Sequence, residues 1–148
     1  MMTTESAQET QDIAKQFART LKNRDVICFY GDLGAGKTTF IKSLVQELTN
    51  TKAEEVVSPT FVYLNSYKGQ CVLHHFDLYR LDNEEQFLNL GFDEFLHSDG
   101  IVCIEWPERI KTLLPVNRME VHISHTNHPN TRQITIHKNG EKKDLLFK

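Results

Sequence analysis

One segment limits what this chain can fold into more than any other. Gly31-Asp32-Leu33-Gly34-Ala35-Gly36-Lys37-Thr38 fits the pattern G-x-x-x-x-G-K-[ST]. That loop has meaning only where a buried strand leads into it and a helix leads out. Both flanks are present. The run from Asp25 to Tyr30 is nearly all apolar, as expected of a central strand covered on both faces. From Lys37 onward, Phe40, Ile41, Leu44, Val45 and Leu48 form the single apolar stripe of a helix lying on a sheet, ending near Thr49-Asn50. With Gly at ~7% of residues, a chance match in a chain this long is on the order of one in two hundred. In such a loop the glycines let backbone N–H groups turn inward as a nest, and the helix amino terminus adds partial positive charge beneath a polyphosphate. Lys37 then reaches the β and γ phosphates, Thr38 offers its hydroxyl to Mg²⁺, and Thr39 can donate to the α phosphate.

The remaining elements alternate helix and strand signals. Ser6 and Glu9 make an S-x-x-E capping box ahead of Ile13, Phe17 and Leu21, which recur every four residues and predict an amphipathic helix. After Pro59, Phe61 to Tyr67 reads as a strand, Lys68-Gly69 as a turn and Cys71 to Phe76 as the returning strand. Phe87, Leu88, Leu90, Phe92, Phe95 and Leu96 predict two short helices around Gly91, and Ile101 to Ile104 is a buried strand. Beyond Pro115, the runs Met119 to Ile123 and Gln133 to His137 alternate with period two and predict a pair joined across the loop from Asn127 to Asn130. No repeat or linker divides the 148 residues. The expectation is one α/β domain, a P-loop NTPase-like three-layer fold with a mixed central sheet.

Composition narrows the function classes. A formal net charge of -3 argues against a chain whose main task is to grip a phosphodiester backbone. Any nucleic acid is then met through a partner. The longest apolar run, Val26 to Tyr30, is far short of the ~20 residues needed to span a bilayer, and Met1-Met2-Thr3-Thr4-Glu5 lacks the features of an export signal. Cys28, Cys71 and Cys103 each lie in a strand-like run with no Cys-x-x-Cys pair, which reads as reduced core thiols in the cytoplasm.

A phosphate loop alone does not choose a reaction. It needs a carboxylate at the end of a neighbouring strand to serve Mg²⁺, and two strands end in one: Asp77 and Glu105. The alternative for either acid, Asp77 or Glu105 beside Trp106-Pro107, is a strand-end turn cap. The runs Thr51-Lys52-Ala53-Glu54 and Glu141-Lys142-Lys143-Asp144 only approximate a guanine signature, so ATP is the expected nucleotide.

Four blocks in order carry a family pattern: the phosphate loop through Thr39-Phe40, then Ser58-Pro59-Thr60-Phe61, His75-Phe76-Asp77-Leu78-Tyr79-Arg80-Leu81, and Ile104-Glu105-Trp106-Pro107-Glu108. Together they resemble the TsaE family, also called YjeE. The resemblance implies a bacterial P-loop ATPase supporting formation of N6-threonylcarbamoyladenosine at position 37 of tRNAs that read codons beginning with A. In that family TsaC supplies threonylcarbamoyl-adenylate, TsaD transfers the group with TsaB as scaffold, and TsaE binds the TsaB–TsaD complex and hydrolyses ATP to allow multiple turnovers. By position it implies Leu33, Gly34, Ala35, Gly36, Lys37 and Thr38 around the phosphates, and Mg²⁺ on Thr38 and Glu105. Asp77 is the second strand-end acid, and Thr131 and Arg132 fall where the family has a nucleotide contact. Ser58-Pro59-Thr60 resembles a switch loop in which Thr60 senses the γ phosphate; the other reading is an ordinary Pro turn.

The catalytic expectation is positioning and charge neutralisation, with Lys37 holding phosphate and Asp77 or Glu105 orienting water. Trp106 either shields the site or belongs to the core. Arg80 and Arg109 follow the two acids and read as surface ion pairs or as cationic groups acting in cis. His122, His125 and His128 are three apart, as are Cys71 and His74, but extended chain does not gather such residues, and they read as solvated or hydrogen-bonded. Lys138, Lys142, Lys143 and Lys148 make a mildly basic end that reads as solvated, the other reading being a contact to tRNA or a partner. Two other functions use the same loop: a small-molecule kinase, and a nucleotide-gated binding module in which hydrolysis is incidental.

Overall fold

In chain order the elements are β1 (Met2–Thr4), α1 (Ala7–Ala18), β2 (Val26–Tyr30), α2 (Lys37–Thr49), β3 (Leu64–Lys68), β4 (Val72–Asp77), α3 (Glu84–Asn89), β5 (Ile101–Glu105), β6 (Met119–His125) and β7 (Arg132–Lys138). Short 3₁₀ segments cover Ala53–Glu55, Phe92–His97 and Pro107–Leu113. These come from a computed structural model that describes residues 1–139. The strands form one mixed sheet in the order β1-β7-β6-β2-β5-β4-β3. Its centre is parallel, β6-β2-β5-β4, and its flanks are antiparallel.

Alternation along β2 explains the layering. Ile27 and Phe29 point into a core with Phe17 of α1 and Phe40, Ile41 and Leu44 of α2. Val26 and Cys28 point the other way, toward Phe76, Phe87, Leu96 and Ile110 beneath α3 and the last two 3₁₀ segments. A strand covered twice must be apolar on both faces, and the VICFY run is. The expected three-layer α/β fold with a mixed sheet is therefore the one observed. Among the described residues no helix is long and apolar enough to cross a membrane.

Several boundaries differ from the sequence expectation, each for a local reason. The first helix ends at Ala18, with Leu21 packed on the core from the following turn. Its cap is a variant box: Ser6 Oγ accepts from the Glu9 amide, but Glu9 Oε2 accepts from the amide of Glu5 rather than that of Ser6. The strand expected from Phe61 begins only at Leu64, because the amides of Val62 and Tyr63 both turn back to Pro59 O and Tyr63 is left-handed at φ 66°. The short edge strand β1 and the 3₁₀ segment at Pro107–Leu113 carry no periodicity of their own. β1 is fixed by pairing to β7, and Pro107 follows a left-handed Trp106 at φ 59°. The run Glu141 to Asp144 and the lysines at 142, 143 and 148 lie outside the described residues.

Candidate functional site

The chain leaves β2 through Gly31, and only glycine fits there. A Cβ on that residue would lie 2.2 Å from the carbonyl oxygen of Ile123 in β6, and its φ is 149°. The loop then folds on itself through Ala35 N–H to Asp32 O at 3.0 Å and enters α2 from a left-handed Gly36, φ 110°. Ala35 points into the core and Leu33 outward, 69% exposed. Among the described residues the amides of Gly34, Gly36, Lys37 and Thr38 have no acceptor, so a set of N–H donors converges at the positive end of α2. This is an arrangement for an anion.

Lys37 is 4% exposed, with Nζ 2.6 Å from Gly31 O and 3.8 Å above the ring of Trp106. Both partners are neutral. Among the described residues no carboxylate pairs directly with this ammonium. Burial pulls its pKa below the usual lysine range, while the fields of Glu105, Glu108, Asp77 and Asp32 oppose that shift. A buried cation without a direct counter-ion is a strong attractor for phosphate oxygens.

The acids arrive from the ends of adjacent strands. Glu105 closes β5 and Asp77 closes β4, and the two are partners in the parallel register. Both are buried, at 3% and 6% exposure. Thr38 Oγ1 donates to Glu105 Oε1 at 2.9 Å, and His75 Nε2 meets the other oxygen, Oε2, at 2.7 Å. A carboxylate only accepts, so this bond fixes the proton on Nε2; Nδ1 of His75 is buried with no partner among the described residues. Asp77 Oδ1 accepts from the Tyr79 amide at 3.1 Å, and Oδ2 accepts from Thr60 Oγ1 at 3.1 Å and Ser58 Oγ at 3.5 Å. Asp77 therefore caps a turn and faces the site at once.

Lys37, Thr38, Thr39, Thr60, Asp77, Glu105 and Trp106 line one hollow of about 240 Å³, with Leu33, Gly34 and Gly36 on its rim. A second hollow of about 120 Å³ adjoins it on the other side of the loop, walled by Ala7 and Thr10 of the first helix and its N-cap Ser6, and by Gly36, Thr39, Asn130 and Arg132. Arg132 Nε braces the loop by donating to Ala35 O at 3.0 Å. Thr131 lines neither hollow; its carbonyl accepts from Thr126 and Arg132. Trp106 is half-buried: it lines the site 5.0 Å from the Tyr79 ring and also packs against the core beneath α3.

Among the described residues neither trailing arginine forms an ion pair. Arg80 lies 4.5 Å over the exposed ring of Phe61, and Arg109 donates to Tyr79 O. Arg109 thus buttresses the turn that presents Asp77. Sequence reasoning missed His75, although period two puts it on the same strand face as Asp77, and nothing marked it as the second partner of Glu105. Among the described residues, the donor set suited to a hard divalent cation is Thr38 Oγ1 with Glu105 Oε1. Their 2.9 Å separation matches the edge of an octahedron whose metal–oxygen bonds are about 2.0–2.1 Å.

Residues 4–134 match the family model described as "Threonylcarbamoyl adenosine biosynthesis protein TsaE". The tRNA threonylcarbamoyladenosine biosynthesis protein TsaE of Rickettsia prowazekii is 38% identical over 147 residues, 99% of this chain and 100% of that protein. The protein of the same name in Bacillus subtilis is 38% identical over 97% of this chain and 88% of its own length. A crystal structure of Bacillus subtilis YdiB superposes with a TM-score of 0.76 at 33% identity, covering 94% of this chain and 84% of that one. Phosphate loop, paired strand-end acids and nearly full-length similarity agree, and the chain belongs to the TsaE family.

Proposed function

We propose that this chain is a Mg²⁺-dependent ATPase that sustains threonylcarbamoylation of tRNA by acting on a TsaB–TsaD complex. The observation that carries the reading is the convergence of Lys37, the Thr38–Glu105 pair and Asp77 on one hollow at the free amides of α2. The loop amides and Lys37 hold the β and γ phosphates. Thr38 and Glu105 hold Mg²⁺, which bridges phosphate oxygens and neutralises charge there. His75 keeps the Glu105 carboxylate aimed at Thr38 by occupying its other oxygen. Asp77, tied to Thr60 of the 58–60 turn, orients water and reports to that turn whether the γ phosphate is present. Arg132 and Thr39 wall the smaller hollow, which suits the nucleoside end. The acidic balance fits a protein that leaves tRNA to its partners in the cytoplasm.

Multi-turnover threonylcarbamoylation with purified TsaB, TsaC and TsaD tests this. The chain is expected to extend product formation beyond one turnover and Lys37→Ala to abolish the extension; equal turnover with either protein rejects the reading. A second reading, nucleotide-gated docking with incidental hydrolysis, is favoured by one feature. The turn that touches Asp77 also carries Phe61 and Val62, 80% and 60% exposed. Asp77→Ala separates the two: lost hydrolysis with undiminished tRNA modification selects docking.

A further inference from the structure

Among the described residues, the sheet face opposite α1 and α2 is covered beneath α3 and the last two 3₁₀ segments, and its β6–β7 half carries a cluster apart from the phosphate loop. The antiparallel register sets His137 directly opposite Glu120, and His122 follows Glu120 on the same face. Their ligand atoms lie within 4.8 Å of one another. Glu120 Oε1 is 3.3 Å from His137 Nε2 and 3.7 Å from His122 Nε2. Tetrahedral zinc with bonds of about 2.0–2.1 Å separates its ligand atoms by about 3.4 Å.

The surroundings orient these donors. Tyr30, His122 and His137 stack in a row across β2, β6 and β7, with ring centroids 4.7 and 5.2 Å apart and planes within 10°. The Nε2 edges of both imidazoles converge on one carboxylate oxygen, and because a ligating nitrogen holds its metal in the plane of the ring, a shared ion tilts the two stacked rings toward each other. The other oxygen, Oε2, is occupied by Tyr30 Oη and Arg118 Nε, each at 3.3 Å. Outer hydrogen bonds that tie one carboxylate oxygen and leave the second free are what metal-ligating carboxylates use. The face is accessible, since His122 is 45% exposed, His137 19% and Glu120 14%. Spacing along the chain hides the site, because His125 and His128 take no part and the partner of His122 comes from the next strand.

We propose that Glu120, His122 and His137 bind one zinc ion, with the remaining position open to solvent. Two imidazoles and a carboxylate suit zinc, whereas Mg²⁺ prefers oxygen alone. Arg118, 3.3 Å from the other carboxylate oxygen, offsets part of the carboxylate charge and lowers the affinity for a cation. The bound ion clips β6 to β7 beside Tyr30, the residue that precedes Gly31, and so stiffens the hairpin that delivers Arg132 to the phosphate loop.

Titration of the metal-stripped full chain with Zn²⁺ and with Co²⁺ tests the site. One equivalent of Co²⁺ is expected to give tetrahedral-type visible absorption, displaced by Zn²⁺ and unaffected by excess Mg²⁺. His137→Ala and His122→Ala are expected to weaken binding at least ~10-fold, with His128→Ala and Cys71→Ser unchanged. Free zinc about 100-fold above Kd should raise Tm by about 5–10 °C. Zinc K-edge absorption on the wild-type chain reads the ligands without any variant: two imidazoles with oxygen support the site. Sulfur scattering, a single imidazole, binding that survives both histidine variants, or no binding overturns it.

Discussion

At Trp106 and Lys37 a single side-chain contact becomes a signal. Trp106 is the only tryptophan, and the Lys37 ammonium sits 3.8 Å above its ring. Phosphate oxygens draw that ammonium off the ring, because a charge-assisted bond to an anion outweighs an exposed-type cation–π contact of about 0.5–1 kcal/mol. MgATP should therefore change tryptophan emission saturably. Lys37→Ala should remove the change and weaken nucleotide binding by about 10- to 150-fold, the equivalent of about 1.5–3 kcal/mol for a hydrogen bond to a charged group. Equal emission changes in both proteins would show that the ammonium does not move. The thiols give a second prediction. Burial pushes the Cys28 thiol from 9.0 up to about 12 and raises Cys103 and the less buried Cys71 in the same direction. At pH 8 Ellman's reagent should find Cys71 slowly and the other two only after denaturation. A raised folded-state pKa means that unfolding releases protons, so the stability from Cys28 is complete below pH 9.0 and is lost as pH climbs toward about 12. Urea midpoints should fall above pH 9.0, and Cys28→Ala should flatten that fall. A midpoint independent of pH there would contradict the burial account. Both acids were legible as strand-end carboxylates, whereas His75 was not, because its significance depends on which strand lies beside β4.

For the elements, the most constrained junction is the one between β2 and α2. Gly31→Ala puts a methyl group 2.2 Å from the Ile123 carbonyl, so β6 must shift away from the end of β2. Overpacking of that kind, with a strained backbone added, costs about 2–4 kcal/mol. At Gly34 an added Cβ meets nothing within 4 Å, and only the left-handed φ of 80° opposes alanine, about 1–2 kcal/mol. Urea denaturation should rank Gly31→Ala well below Gly34→Ala in midpoint, and equal midpoints would mean that the close approach to β6 relaxes freely. The motif showed that glycines were needed; it did not show that the first of them answers to a strand far along the chain. The same limit runs through the other elements. Strand and helix periodicity revealed β2, α2, β5 and the β6–β7 pair, since each carries its own apolar pattern. Phe61 was misplaced in a strand because β-propensity was read without the turn that Pro59 O imposes on Val62 and Tyr63. β1 has three residues, too few for a pattern, and exists because β7 offers it an edge.

Across the whole molecule, that edge strand links the start of the described chain to the phosphate loop. Met2 is 6% exposed within the core shared by α1 and α2, and Thr4 is 1% exposed, its hydroxyl 2.8 Å from that of Thr10. The register pairs Met2 with Ile134 and Thr4 with Arg132, and Arg132 in turn braces Ala35 O. A tether thus runs from β1 through β7 to the loop, and Thr10 walls the smaller hollow at its near end. Deleting residues 1–5 removes the Met2 burial and a buried hydrogen bond, together about 2–4 kcal/mol. For a chain of this size that lowers Tm by about 4–16 °C. It also bares the β7 edge, which should favour association at high concentration. Because Arg132 loses one of its two strand partners, Thr4, and keeps only His125 of β6, nucleotide affinity should fall as well, and the Tm rise produced by saturating MgATP should shrink. Calorimetric Kd and Tm on the deleted and intact chains separate the two effects. A lower Tm with unchanged Kd would confine β1 to stability, leaving Arg132 placed by its pairing with β6 and its bonds to Ala35, Pro129 and Thr131.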